Sequence, residues 1–240
     1  MDTASGNNKI CEGRKFVDRL LAHLEELGWA WIPQPSRADP LDILSTLGPL
    51  ISSHRKGPDS DYHDLKPYRH NDAPPASMSA ITSTGPQPMH TDAAYRPEPP
   101  RHVALQCMNP GEALCPTHVW SLDIDRLASD RPDVLTRPMW IARGGPYNPF
   151  YCSVLEVIRC RVRIRFDGCC MTPTSESETV EEAEATLESY ARRYAFEWEQ
   201  GALLIIDNWR CLHARGIWAH LAPSRVLRRW NIGAYNGLGC

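Results

Sequence analysis

The stretch GALLIIDNWRCLHARG, residues 201–216, decides how the chain folds. Its first half is an apolar run of strand length, bounded by Gly201 on one side and Asp207-Asn208 on the other. That pattern predicts a strand covered on both faces. Past the turn stands His213, where a side chain can reach into a barrel mouth. Working outward, similar short runs recur: HVALQCM (102–108), THVWSL (117–122), MWIA (139–142), CSVLEVI (152–158) and RVRIRF (161–166). Turn residues separate them, and VLRRWNIGAY (226–235) supplies a final strand. Such spacing predicts a mainly β, α+β protein, a sandwich or jelly roll with helices packed outside.

Two helices are expected on that framework. In KFVDRLLAHLEEL (15–27), Phe16, Leu20, Leu24 and Leu27 share one face and Gly28 provides a stop. Thr179 followed by Glu182 is a capping box, opening a helix over 180–195 with Ala183, Leu187, Tyr190 and Ala191 inward. A strand at WAWI (29–32) and a short helix at 40–47 complete the first part. Residues 52–89 and 144–158 read as loops that form a pocket lid. The whole chain, 1–240, is expected to be a single domain, its jelly-roll core spanning roughly 80–235.

Composition narrows the function. A net charge of −3 and a pI near 6.3 give no general attraction to nucleic acid or anionic lipid. No apolar run has the length of a membrane span, and the polar opening MDTASGNNK has no secretory core, so a cytoplasmic location is expected. Nine cysteines without a C-x-x-C pair argue for free buried thiols over a disulfide framework or a thiolate zinc site. In RCRVRIR (159–165), arginines alternate with apolar residues. The expectation there is a solvated cationic sheet face; the alternative is an RNA-binding strand.

Two H-x-D pairs compete as half of a metal site. His90 and Asp92 in PMHTDAAYRPEPP (88–100) precede a convincing strand, whereas His70 and Asp72 in RHNDAPP (69–75) lie between polar stretches. On a strand, positions two apart share a face and can chelate one ion, so the later pair is favoured. With His213, two imidazoles and one carboxylate form the facial triad of non-haem Fe(II) oxygenases, with open positions for cosubstrate and O2. Tyr95 either lines the pocket or packs beneath it.

HTDAAYRPEPP, the later IIDNWRCLHAR and the closing SRVLRRWNI together resemble the Fe(II)/2-oxoglutarate dioxygenases of the taurine dioxygenase and clavaminate synthase type. RIRFDGCCM (163–171) is similar to the segment before the late helix in clavaminate-synthase-like members. The resemblance implies a double-stranded β-helix, with Fe(II) held by His90, Asp92 and His213 and with 2-oxoglutarate and O2 as cosubstrates. Arg225 matches the arginine that grips the distal carboxylate of 2-oxoglutarate, a task suited to a guanidinium fork. Thr117 matches a threonine that bonds the cosubstrate, although GEALCP (111–116) replaces the usual Gly-Gly before it. Arg229 and Tyr95 are the expected substrate contacts, with Arg228 pointing elsewhere.

The activity implied is hydroxylation of an unactivated C–H in a small carboxylate-bearing molecule, an amino acid or natural-product intermediate, releasing succinate and CO2. Desaturation, epoxidation and ring closure stay open within the family. Outside it stand a zinc hydrolase or isomerase on a similar barrel and a metal-binding jelly roll without catalysis. The sequence says nothing about oligomeric state.

Overall fold

A computed structural model describes residues 4–33, 39–52, 61–74, 77–112, 115–131, 137, 139–158, 161–175, 178–217 and 223–234, with side chains from Lys15 onward. In chain order the elements begin with α1 (Ala4–Leu27), β1 (Trp29–Ile32), α2 (Pro40–Ser45), β2 (Leu50–Ile51) and β3 (His63–Leu65). A single 3-10 turn, His70–Asp72, precedes α3 (Ser79–Thr82), β4 (His102–Asn109), β5 (Thr117–Leu122) and α4 (Ile124–Asp130). Then come β6 (Trp140–Gly144), β7 (Tyr147–Cys152), β8 (Leu155–Ile158), β9 (Arg161–Ile164) and β10 (Met171–Pro173). The last are α5 (Val180–Ser189), β11 (Ala191–Phe196), β12 (Leu203–Asp207), β13 (Cys211–Arg215) and β14 (Val226–Ile232).

The quoted run 203–207 is β12, buried at every residue and paired antiparallel with β1 on one side and β4 on the other. The larger sheet runs β1-β12-β4-β14-β2, with β3 also on β14; the smaller runs β11-β5-β13. Side chains alternate across each strand, so β12 serves two cores. Leu204 and Ile206 join Val103, Leu105 and Leu227 to meet Val119, Phe196 and Cys211 of the smaller sheet. Leu203 and Ile205 face outward with Ala104, Trp230 and Ile232, where Leu20 and Leu24 of α1 and Ile43 and Leu44 of α2 cover them. Each fully enclosed leucine contributes on the order of 2 kcal/mol, which is why a strand with no polar face is stable here.

A third layer, with Trp140, Leu155, Phe166, Leu127 and Leu187, packs on Trp120, Leu122, Leu212 and Ala214 of the smaller sheet. Gly28 joins α1 to the sheets: at φ +77 a Cβ there would lie 2.5 Å from Cys211 Sγ. Its carbonyl accepts the amide of Asp207. Two packed antiparallel sheets with helices outside are the expected double-stranded β-helix.

Four expectations need correction. The late helix ends at Ser189, not 195. Residues 191–196 form β11, whose six residues pair with β5 from Ala191↔Leu122 to Phe196↔Thr117. Ala and Arg favour helix locally, yet an open sheet edge and the burial of Phe196 outweigh that small preference. Most of 144–158 is not loop, since β7 and β8 occupy it. Finally, Arg163 and Arg165 are not on a solvated face: they are 2% and 1% exposed. Both bond Glu156, with Arg163 Nε at 2.6 Å and Arg165 Nε at 3.0 Å. Arg159 and Cys160 lie outside the described residues. At the other end of the chain, α1 starts at Ala4, earlier than residue 15.

Candidate metal centre

Backbone pairing builds the site. His90 exchanges both main-chain hydrogen bonds with His213 on β13, N to O at 3.0 Å and 2.9 Å, and also bridges Asp167. Alternation then turns His90 and Asp92 to one side and Thr91 to the other. Thr91 Oγ1 accepts the amide of Phe166 at 3.1 Å, which fixes the strand-like run. Asp92 is held from behind by Asn208, which is fully buried. Its Oδ1 accepts Asp92 N at 2.7 Å, while its Nδ2 donates to the carbonyls of Asp92 and Pro100. Ala93 turns the chain sharply at φ +57, an uncommon conformation for a residue with a Cβ. Arg165 holds the outgoing loop through the carbonyls of Ala94 and Arg96.

His90, Asp92 and His213, all buried, each offer one ligand atom, and those atoms lie within 4.8 Å of one another. The donor set suits a divalent transition metal. His90 Nδ1 sits 2.9 Å from Pro88 O, so a proton there leaves the Nε2 lone pair for a metal. Burial, and after it the neighbouring His90, push the His213 imidazole down to about 3, with Asp92 pulling the other way. At working pH His213 is therefore neutral and able to ligate. His70 and Asp72 occupy an exposed 3-10 turn outside this group, so the weaker H-x-D pair is not part of it.

The remaining predicted residues converge on the same cavity, of about 510 Å³. Arg225, 5% exposed, donates from Nη2 to Thr117 Oγ1 at 3.3 Å. Trp198 Nε1 donates to the same oxygen at 3.0 Å, and its ring stacks edge-on against Trp31. Arg225 Nε is buried without a hydrogen-bond partner, and burial draws the guanidinium below its ordinary value. Among the described residues no carboxylate pairs with it, so a buried fork faces the cavity ready for an anion. Arg229 reaches Asp92 Oδ1 at 2.6 Å. Arg228 turns away, as expected, to Asp64 at 2.9 Å.

Tyr95 lines the cavity and carries the Gly144-Gly145 turn on its ring. A Cβ on Gly145, at φ +58, would come within 2.7 Å of Tyr95 Cε2. Of the two stretches expected as lid, the first supplies part of the wall through His63, Leu65 and Lys66. The second supplies only its start, Gly144 to Pro146.

Sequence reasoning missed Asn208, Asp167 and Glu156. Asn208 was visible in the D-N that precedes His213. Asp167 follows RIRF and becomes a site residue only through its pairing with His90.

Comparisons with known proteins agree with this geometry. The family model "Taurine catabolism dioxygenase TauD, TfdA family" matches residues 112–231, half of the chain. That span holds Thr117, His213, Arg225 and Arg229 but stops short of His90 and Asp92, which the fold brings to it. A solved asparagine oxygenase in complex with Fe(II), 2S,3S-3-hydroxyasparagine and succinate superimposes with a TM-score of 0.69 at 15% identity. The match covers 91% of this chain and 79% of that one. The non-haem iron oxygenase OrfP with Fe, succinate and (3S)-hydroxy-L-Arg gives 0.68 at 19% identity, covering 93% and 80%. OrfP with Fe and alpha-ketoglutaric acid gives 0.66 at 20%, with the same coverage. At these identities the likeness speaks for the fold. A search of curated proteins finds no match. The family match, with the His-Asp-His cluster, leads to one conclusion: the chain belongs to the taurine catabolism dioxygenase TauD, TfdA family and is an Fe(II)- and 2-oxoglutarate-dependent oxygenase.

Proposed function

We propose that this enzyme hydroxylates a C–H bond of a small amino acid, with His90, Asp92 and His213 as the iron ligands. Bound together, iron, 2-oxoglutarate and O2 supply an oxidant strong enough to remove hydrogen from such a bond, with succinate and CO2 as by-products. The protein's own residues do the rest. Arg225 takes the far carboxylate of 2-oxoglutarate, and Thr117, held by Trp198, fixes the guanidinium's angle. Arg229 lies at Asp92 and receives the substrate carboxylate. Asp167, beside His90 and on the cavity wall, accepts from the substrate ammonium. Tyr95 and the turn on its ring help keep water from the reacting carbon.

The observation that carries this reading is the convergence, in one cavity, of three metal donors and the buried Arg225–Thr117 pair. An amino-acid substrate is also in keeping with the hydroxyasparagine and hydroxyarginine in the similar structures. We take residues 1–240 as one domain, since α1 packs on the sheet that carries Arg229. The six cysteines whose side chains are described are free, which fits a reducing compartment such as the cytoplasm.

The test is anaerobic addition of Fe(II) and 2-oxoglutarate, followed by visible absorption, and then succinate release after O2 is admitted. His213→Ala should abolish both signals, while His70→Ala should leave them near wild type. Equal losses in the two variants, or loss only in the second, would reject the ligand assignment.

A further inference from the structure

The cavity is unusually cationic. Six basic side chains line it, Lys66, Arg96, Arg143, Arg215, Arg225 and Arg229, against the two carboxylates Asp92 and Asp167. Three of the six are engaged. Arg215 is turned to the carbonyls of Ser83 and Gly85, Arg225 binds Thr117, and Arg229 binds Asp92. Arg96 and Arg143 have no carboxylate partner among the described residues. Both sit beside Tyr95: Arg96 follows it in sequence, and Arg143 leads into the Gly144-Gly145 turn packed on its ring. The amide of Arg143 donates to Cys170 O at 2.9 Å, which ties that strand end to the segment bearing Asp167.

A bound Fe(II) adds two positive charges, and the 2-oxoglutarate dianion offsets only two of the three that the metal and Arg225 carry together. A zwitterionic substrate with a neutral side chain would leave the half-buried Arg96 and the exposed Arg143 and Lys66 without an anionic partner at the cavity wall. A cationic side chain would enter a cavity whose wall already carries these cations, and like charges repel. We propose that the substrate carries a second acidic group: it is an acidic amino acid of the aspartate or glutamate class, and Arg143 and Arg96 hold its side-chain carboxylate. This rests on the iron and 2-oxoglutarate reading of the same cavity and deepens it. It sets the enzyme apart from the similar OrfP structures, whose bound ligand is a hydroxylated arginine.

The experiment titrates L-aspartate, L-glutamate, L-asparagine and L-arginine into the anaerobic Fe(II)–2-oxoglutarate complex. The readouts are the shift of its visible band and isothermal calorimetry. L-Aspartate or L-glutamate should half-saturate at a concentration at least about tenfold below that of L-asparagine, and L-arginine should give no shift. Arg143→Glu and Arg96→Gln should weaken the acidic ligand roughly ten- to a hundredfold, the range of a charge-assisted pair, while the band formed by 2-oxoglutarate alone persists. Arg143 is an exposed residue, so the fold is expected to tolerate its replacement. Stronger or equal binding of L-asparagine or L-arginine, no response to any of the four, or unchanged binding in both variants would overturn the proposal. Failure of the band to form before any amino acid is added would instead reject the underlying site.

Discussion

Arg225 is the residue whose chemistry is easiest to isolate. It is buried, carries one hydrogen bond to Thr117, and has an Nε without a hydrogen-bond partner. Replacing it with alanine removes a charge-assisted pair worth roughly 1.5–3 kcal/mol, so the 2-oxoglutarate concentration for half-maximal succinate release should rise roughly ten- to a hundredfold. Arg225→Lys should recover only part of that, because an ammonium has no fork to match a carboxylate. A requirement unchanged in Arg225→Ala would place the carboxylate clamp on another residue. Asn208 acts at the same scale from outside the cavity: two of its three hydrogen bonds hold the backbone of Asp92 and the third holds Pro100. The candidate metal donors and Arg225 were legible in the sequence, since H-x-D, D-N-x-x-x-x-H-x-R and the trailing arginines are local patterns. Their partners were not, as Thr117 and Arg225 meet over 108 positions of chain.

At the scale of elements, the β8–β9 hairpin shows what alternation alone misjudges. RCRVRIR has the pattern of a two-faced strand, yet Arg163 and Arg165 turn inward to share Glu156 and to hold the loop after Asp92. A pattern of charges says which residues differ from their neighbours but not what lies beyond the sheet. Removing Glu156 leaves two guanidinium groups buried without their counter-charge, so Glu156→Ala should lower the unfolding free energy by about 3 kcal/mol or more. Val157→Ala, at a side chain 72% exposed, should change it by under about 0.5 kcal/mol. Urea denaturation measures both, and a loss below about 1 kcal/mol at Glu156 would show that the cluster is not a buried ion network. The late helix makes a similar point. Its start was encoded in the Thr179–Glu182 box, whereas its end was set by the open edge of β5.

For the whole molecule, the packing of helices on both outer faces buries groups that would otherwise titrate freely. His102, where β4 meets both β12 and β14, has its imidazole lowered to about 4, chiefly by burial, with Asp207 opposing and Arg101 assisting. Its folded pKa thus lies below the unfolded value of about 6.5. Below that value the unfolded chain takes up the proton first, so stability is full above pH 6.5 and falls as pH drops toward 4. The loss from this one group is on the order of 3 kcal/mol. In the metal-free protein, His102→Gln should flatten the slope of unfolding free energy against pH in that window. His213 shifts in the same direction, so the difference between variant and parent is the quantity to read. Identical slopes would mean that His102 stays protonable in the fold.

The sequence by itself determined the short-range facts: that most of the apolar runs become strands, that the late helix opens at the Thr179–Glu182 box, and which residues are candidates for metal and carboxylate chemistry. Those follow from periodicity, capping and residue type, all of which act over a few positions. Tertiary structure alone decided that His90 would pair with a strand 123 residues away, that 191–196 would leave the helix for a sheet edge, and that Asp167 and Arg143 would line the same cavity as the candidate metal donors. Each of those outcomes depends on which surfaces are left to be covered once the two sheets close. That is a property of the assembled layers and of no local stretch of chain.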